Sequence, residues 1–127
     1  MVLPLLRLFQ PGIVLVSAGF DAAPGHPPTL GGYTVSPACF AFMTRSLVQA
    51  GEGRLVLALE GGYTGPAVAE AVQGCLAALL SWTSPAFPAT AEISRAELER
   101  RPAAQAVEDL RKTIAMQVRH RMTIGCV

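Results

Sequence analysis

The sequence predicts an α/β fold in which part of an open parallel sheet is flanked by helices. Residues 13–18 and 54–60 are short, largely apolar runs, typical of strands that are buried on both faces of a parallel sheet. Each run is followed by a glycine-containing loop and then by a helical pattern, at 38–50 and 66–81. This repeated order of strand, loop and helix favours parallel strands joined by right-handed crossovers. Because two strands do not make a stable sheet alone, we expect the sheet to be incomplete.

Local signals set the bounds of the first two helices. Residues 3–9 have the pattern of the last turns of an amphipathic helix, which the Pro11-Gly12 pair ends. Ser36 and Pro37 predict the start of the next helix, with Ser36 as N-cap and Pro37 at the first helical position. Gly51 is predicted to end that helix in the left-handed conformation. The residues of this helix that recur at helical spacing are Phe40, Met43, Leu47 and Val48.

The last third of the sequence changes in character. The helix at 66–81 is predicted to be followed by a linker at about 83–91 and by a charged segment at 92–101. A last helix is predicted at about 103–122. The residues that the 66–81 helix places on one face are Val68, Val72, Leu76 and Leu79 or Leu80. The boundaries that we predict are 1–122 for the domain portion and 123–127 for a tail.

Composition excludes several classes of function. The chain has 127 residues, of which 51% are hydrophobic and 15% are charged, so it can bury a core. A net charge of +1 gives no reason to expect direct binding to nucleic acid. No apolar run reaches the length of a membrane span, and Arg7 interrupts the apolar N-terminal stretch, which argues against a signal peptide. Three widely spaced cysteines without a C-x-x-C motif predict reduced thiols, at Cys39, Cys75 and Cys126.

Polar residues follow both predicted strands, where parallel strands of open sheets present their ligand sites. Asp21 follows the first strand, and Tyr63 follows the second after two glycines, so we expect both on neighbouring loops. Asp21 suits a metal ligand, although a helix cap or a salt bridge is the alternative. Tyr63 suits a hydrogen-bond donor to an oxyanion, although it can also simply cover a turn. His26 is interpreted as a loop residue, with metal binding as the alternative. Glu60 is interpreted as an acceptor of backbone N–H groups, with acid–base chemistry as the alternative.

Two long motifs give the sequence a family resemblance. "LVSAGFDA" and "GHPPTLGGY", at 15–22 and 25–33, are followed by "GRLVLALEGGY" at 53–63. Together with "RPAAQAVEDLRK" at 101–112, they resemble the C-terminal part of the zinc-dependent histone deacetylase domain, most like class IIa and next like class IIb. The resemblance spans residues 2–121. It implies an arginase/deacetylase-like fold, hydrolysis of N-acetyl-lysine amides, a link to transcriptional repression, and a location in nucleus and cytoplasm.

The resemblance also implies roles for particular residues. Asp21 matches a ligand of the catalytic Zn²⁺, and Tyr63 matches the residue that stabilises the tetrahedral oxyanion. Vertebrate class IIa domains typically have His at the latter position, so a tyrosine implies the more competent form. The residues that match the wall of the acyl-lysine channel are Leu30, Gly61 and Gly62. Thr29 replaces a usual Pro, and "TGPAV" after Tyr63 replaces a more usual helix start, with Thr64 as its cap.

The other motifs of the family's site do not occur in the sequence, which contains neither Asp-x-His nor His-His. We therefore expect the chain to be a C-terminal portion, truncated upstream, that neither binds Zn²⁺ tightly nor catalyses alone. Its exposed sheet edge is expected to promote aggregation or binding to a partner. The implied partners are acetylated histones or other protein lysines and corepressor complexes. The alternatives are a non-catalytic interaction module and an unrelated α/β binding domain.

Overall fold

The computed structural model describes residues 2–27, 34–84, 86–87 and 92–124. In chain order the elements are α1 (Val2–Phe9), β1 (Val14–Ala18), α2 (Pro37–Ala50), β2 (Leu55–Leu59), α3 (Gly65–Thr83), α4 (Arg95–Leu98) and α5 (Ala104–Ile124). The chain divides into two compact units, one from Val2 to Ser94 and one from Arg95 onward. The elements predicted from sequence are confirmed to within about two residues, whereas the short α4 falls in a segment predicted only as charged.

The two strands form a parallel pair, as predicted. Val14 lies opposite Leu55 and Ala18 lies opposite Leu59. Val14 is buried, but Leu15 is 72% exposed on the opposite face of the pair. The prediction that both faces are buried is therefore wrong for the described residues, which cover one face of the sheet and leave the other open.

The core next to the sheet is anchored by the residue that precedes Asp21. Phe20 is only 3% exposed and packs against the ring of Phe40, with centroids 5.0 Å apart. Its buried neighbours are small, because α3 contributes Ala67, Ala71 and Cys75 to the same cluster. The loop after β1 is thereby fixed at its first turn by a large apolar side chain that the sheet and helices enclose.

Helices α2 and α3 contact each other through small residues. A Cβ atom at Gly74 would lie 2.9 Å from the carbonyl oxygen of Pro37, so the two backbones approach closely there. The large-residue faces predicted for these helices are therefore partly wrong: Met43, Leu76 and Leu80 are exposed, while Phe40, Val68 and Val72 pack partly against the core. Of the predicted set, only Val48 is fully buried. The residues that are buried instead are Ala41, Thr44, Ala67, Ala71, Gly74, Cys75 and Ala78.

The ends of α2 show one confirmed and one wrong prediction. Ser36 caps the helix, because its Oγ accepts a hydrogen bond of 3.0 Å from the Cys39 N–H. Gly51 is not left-handed, since its φ is −93°, and the positive φ values occur at the next two residues, Glu52 and Gly53. Gly51 is instead needed for space, because a Cβ atom there would lie 3.1 Å from Val14 Cγ2.

The unit from Arg95 onward contains the two last helices. An exposed ion pair of 2.7 Å joins Arg95, the first residue of α4, to Glu99, which directly follows that helix. The apolar side chains along α5 are about half exposed, at Leu110, Ile114 and Val118. Across the part of the chain that the structure describes, no helix combines the length and the apolar content that a membrane crossing requires.

Candidate functional site

The loops that follow β1 and β2 lie side by side. The Glu60 N–H donates a hydrogen bond of 3.1 Å to the Ala18 carbonyl, and the Phe20 N–H donates one of 2.9 Å to the Gly61 carbonyl. The hydrogen-bond ladder of the sheet therefore continues past the ends of both strands. As the sequence predicts, the carboxyl ends of the strands present two adjoining loops with little freedom relative to each other.

Asp21 lies between these loops. Its Oδ1 accepts a hydrogen bond of 3.1 Å from the Gly62 N–H, and its Oδ2 lies against Gly61, where a Cβ atom would collide with it. The side chain is exposed and keeps lone pairs free for a cation. Among the described residues, then, the carboxylate binds a loop amide rather than a helix N-terminus or a basic side chain.

Gly62 makes the turn that leads to Tyr63. Its φ is +111°, and a Cβ atom there would lie 2.8 Å from Val68 Cγ2 and 3.1 Å from Phe20 Cβ. Both the conformation and the space demand glycine at this position. The side chain of Tyr63 is 86% exposed, so it covers little of the turn. The phenol is thus presented to solvent, one residue after the amide that holds Asp21.

His26 connects the two loops from the other side. Its Nε2 accepts hydrogen bonds from the backbone N–H of Tyr63, at 3.0 Å, and of Thr64, at 3.2 Å. Its Nδ1 lies 3.2 Å from the carbonyl oxygen of Ala23. Thr64 has the extended backbone of an N-cap, but its side chain makes no cap hydrogen bond to α3. The ring of His26 therefore fixes the backbone on the C-terminal side of Gly62.

A comparison with families of known proteins identifies this arrangement. The sequence-family model of the histone deacetylase domain matches residues 1–79, which include both loops. The chain belongs to the histone deacetylase family. The resemblance drawn from the two motifs is confirmed, and chance similarity of an unrelated α/β binding domain is excluded.

Individual histone deacetylases show the extent of the similarity. Histone deacetylase 4 of Caenorhabditis elegans is 45% identical over 113 residues, which are 89% of this chain and 12% of that protein. Human histone deacetylase 7 is 56% identical over 79 residues, 62% of this chain and 8% of that protein. Human histone deacetylase 9 is 43% identical over 114 residues, 90% of this chain and 11% of that protein. The chain thus spans only about a tenth of the length of these relatives.

Solved structures confirm the fold. The crystal structure of the HDA15 HD domain superposes with a TM-score of 0.75 at 29% identity, covering 94% of this chain and 30% of that one. The structure of the histone deacetylase Clr3 gives a TM-score of 0.68 at 30% identity, covering 85% of this chain and 16% of that one. The predicted deacetylase-like α/β fold, with only part of a sheet, is therefore correct.

The structure brings together most of the residues predicted for a deacetylase site. Asp21, Gly61, Gly62 and Tyr63 lie at adjoining strand ends, while Leu30 lies outside the described residues. Glu60 is exposed, and its N–H extends the ladder. The interpretation of His26 as an ordinary loop residue missed its link to the second loop. A single histidine in a Gly- and Pro-rich loop was the only signal available.

Zinc is the metal that the deacetylase family implies, and this chain fits it only in part. Asp21 offers a fixed, exposed carboxylate, which suits one ligand. The lone pair of His26 Nε2 faces two backbone N–H groups and is not directed at a cation. Catalytic zinc takes three protein ligands, and across the described ranges no group of three His, Cys, Asp or Glu side chains could hold a metal. These residues thus supply one candidate ligand and not a complete site.

Proposed function

We propose that this chain forms the C-terminal portion of a zinc-dependent, class IIa-like lysine deacetylase that hydrolyses N-acetyl-lysine amides of histones or other proteins. The supporting observation is the pairing of the two strand ends, where the Asp21 carboxylate is held by the amide directly before Tyr63. Similarity to proteins named histone deacetylase 4, 7 and 9 favours class IIa.

The roles that we propose come from the family resemblance, and the position of Asp21 and Tyr63 on adjoining loops supports them. Asp21 supplies one zinc ligand, since the Gly62 amide fixes it while leaving oxygen lone pairs open. The Tyr63 phenol donates a hydrogen bond to the oxyanion that forms when water adds to the acetyl carbonyl. One such donor contributes roughly 10²–10³-fold in rate. By the family resemblance alone, Leu30, Gly61 and Gly62 are proposed to match the wall of the acyl-lysine channel.

The chain alone is proposed to be inactive. One carboxylate does not hold catalytic zinc, so the remaining ligands come from a further segment of a complete deacetylase domain. Titration of the isolated chain with Zn²⁺, followed by isothermal calorimetry, should therefore show no tight stoichiometric site. A tight tetrahedral site in the isolated chain would refute this part of the proposal.

A chimera tests the activity directly. The segment of human histone deacetylase 7 that aligns with this chain, 79 residues at 56% identity, is replaced by the corresponding residues of this chain. The chimera should bind zinc and deacetylate an acetyl-lysine peptide. Tyr63→Phe should lower kcat roughly 10²–10³-fold, and Asp21→Asn should weaken zinc binding.

A matched control for Asp21 is Glu60, the exposed carboxylate after the other strand. Glu60→Gln should leave zinc affinity and activity of the chimera near those of the parent chimera. A folded chimera that binds zinc but keeps its activity after Tyr63→Phe would contradict the proposed role of the phenol. A chimera that folds and is inactive with Tyr63 in place would contradict the proposed function.

A second candidate function is a non-catalytic module that binds corepressor proteins in nucleus and cytoplasm and thereby acts in transcriptional repression. The observation that favours it is the half-exposed apolar row of α5, formed by Leu110, Ile114 and Val118. Corepressor capture should be lost on Leu110→Asp, retained by the exposed control Arg111→Ala, and unaffected by Tyr63→Phe. Capture that depends on Tyr63 instead of Leu110 would argue against it.

A further inference from the structure

The ring of His26 has hydrogen-bond partners that select one tautomer of the neutral ring. A carbonyl oxygen can only accept a hydrogen bond, so the nitrogen facing Ala23, Nδ1, carries the hydrogen. A backbone N–H can only donate, so the nitrogen facing Tyr63 and Thr64, Nε2, presents its lone pair. The arrangement therefore requires the neutral tautomer that is protonated at Nδ1.

The backbone N–H groups of Gly62, Tyr63 and Thr64 all donate to side chains of the loop after β1. Gly62 has the positive φ that glycine adopts without strain, so the chain can change direction easily at that point. The side chain of Tyr63 is largely exposed and contributes little packing of its own. Two contacts flank the turn: Asp21 accepts from the Gly62 N–H, and His26 accepts from the next two N–H groups. The direction of the phenol depends on both.

We infer that His26 is a positioning residue for Tyr63. It lies 37 residues before Tyr63 in sequence and joins the loop after β1 to the start of α3 by a shared acceptor. The inference rests on the proposed function insofar as Tyr63 acts on substrate, whereas the hydrogen bonds can be tested without any activity. His26 acts through the backbone N–H groups of Tyr63 and Thr64, which its Nε2 holds.

The first test is spectroscopic and uses the full 127-residue chain labelled with ¹⁵N. The chain has two histidines, so a His120→Ala background leaves the ring of His26 alone in long-range ¹H–¹⁵N spectra. At pH 8 the spectrum should show a protonated Nδ1 and an unprotonated Nε2, the tautomer that free histidine in water populates less. A ring protonated at Nε2, or one that averages between both tautomers, would overturn the inference.

The second test compares two variants by amide hydrogen exchange. His26→Phe keeps a planar ring but removes both nitrogens, so exchange at the Tyr63 and Thr64 amides should accelerate about 2- to 10-fold. His26→Gln offers a carbonyl acceptor of similar reach and should restore part of the protection. The Glu60 amide, which is bonded to Ala18, is the internal control and should keep its rate. Unchanged exchange at Tyr63 and Thr64 in a folded His26→Phe chain would overturn the inference.

The chimera separates this inference from the proposed function. His26→Phe should lower kcat about 10- to 100-fold with little change in KM, because the phenol is misdirected while the substrate channel stays intact. His26→Gln should recover part of the loss. An unchanged kcat in an active chimera carrying His26→Phe overturns the positioning role.

If the chimera with His26 is itself inactive, the proposed function fails, and the tautomer and exchange measurements still decide the inference. If His26→Phe does not fold, the tautomer of the wild-type ring and the Gln variant decide it.

Discussion

Replacing Gly62 with alanine tests how the loop after β2 is built. The substitution forces a residue with a Cβ atom into a φ of +111°, at a cost of about 1–3 kcal/mol. The new methyl group also lies 2.8 Å from Val68 Cγ2 and 3.1 Å from Phe20 Cβ, and overpacking of this kind costs about 1–3 kcal/mol. The free energy of unfolding should therefore fall by about 2–6 kcal/mol, a large part of the roughly 5–15 kcal/mol of a typical domain.

Urea unfolding measures this loss through the fluorescence of Trp82, the chain's one tryptophan, which lies on α3. The midpoint should drop by roughly 1–3 M. Gly65→Ala is the matched control, because a Cβ atom there meets nothing within 4 Å and no positive φ is needed, so its effect should stay within about 1 kcal/mol. A Gly62→Ala chain that unfolds within about 0.5 kcal/mol of wild type would refute the described turn.

Three further predictions concern the helices and the core. Burial raises the pKa of the Cys75 thiol, and its hydrogen bond to a threonine, which lowers that pKa, has the smaller effect. At pH 8 a thiol reagent should therefore label Cys39 well before Cys75, as followed by mass spectrometry. Equal rates in the native chain would contradict the buried position. Ser36→Ala should lower the free energy of unfolding, measured in urea, by about 0.5–2 kcal/mol because the N-cap of α2 is lost. Thr64→Ala should lower it by less than about 0.5 kcal/mol, since the Thr64 side chain makes no cap hydrogen bond. The reverse ranking would show the caps to be misassigned. Gly51→Ala should cost about 1–3 kcal/mol because its methyl group would crowd Val14, and a stabilised variant would disprove that contact.

The parts of the fold that could be predicted depend on local signals. Apolar runs between glycines marked both strands, and the Ser36-Pro37 pair marked the start of α2, because caps and strand ends are decided by a few neighbouring residues. The placement of Asp21 and Tyr63 on neighbouring loops followed from one general property of parallel sheets. The roles of these two residues stay predictions.

The parts that could not be predicted depend on distances between elements. The buried faces of α2 and α3 are set by how closely their backbones approach at Gly74, and spacing along one helix does not contain that distance. Gly51 could not be distinguished from a left-handed cap, because glycine is required equally by a positive φ and by lack of space. The link from His26 to Tyr63 joins residues 37 positions apart, without a pattern that relates them.

The open face of the strand pair affects how readily the isolated chain associates in solution. Leu15 and Val56 are partners in the parallel register, and both apolar side chains are exposed to water on the open face. Sulfate and phosphate salts strengthen apolar association, so we expect them to promote aggregation of the chain and a low-salt buffer to keep more of it in solution. The double substitution Leu15→Thr and Val56→Thr keeps good strand propensity and makes this face more polar, so it should raise the yield of monodisperse protein.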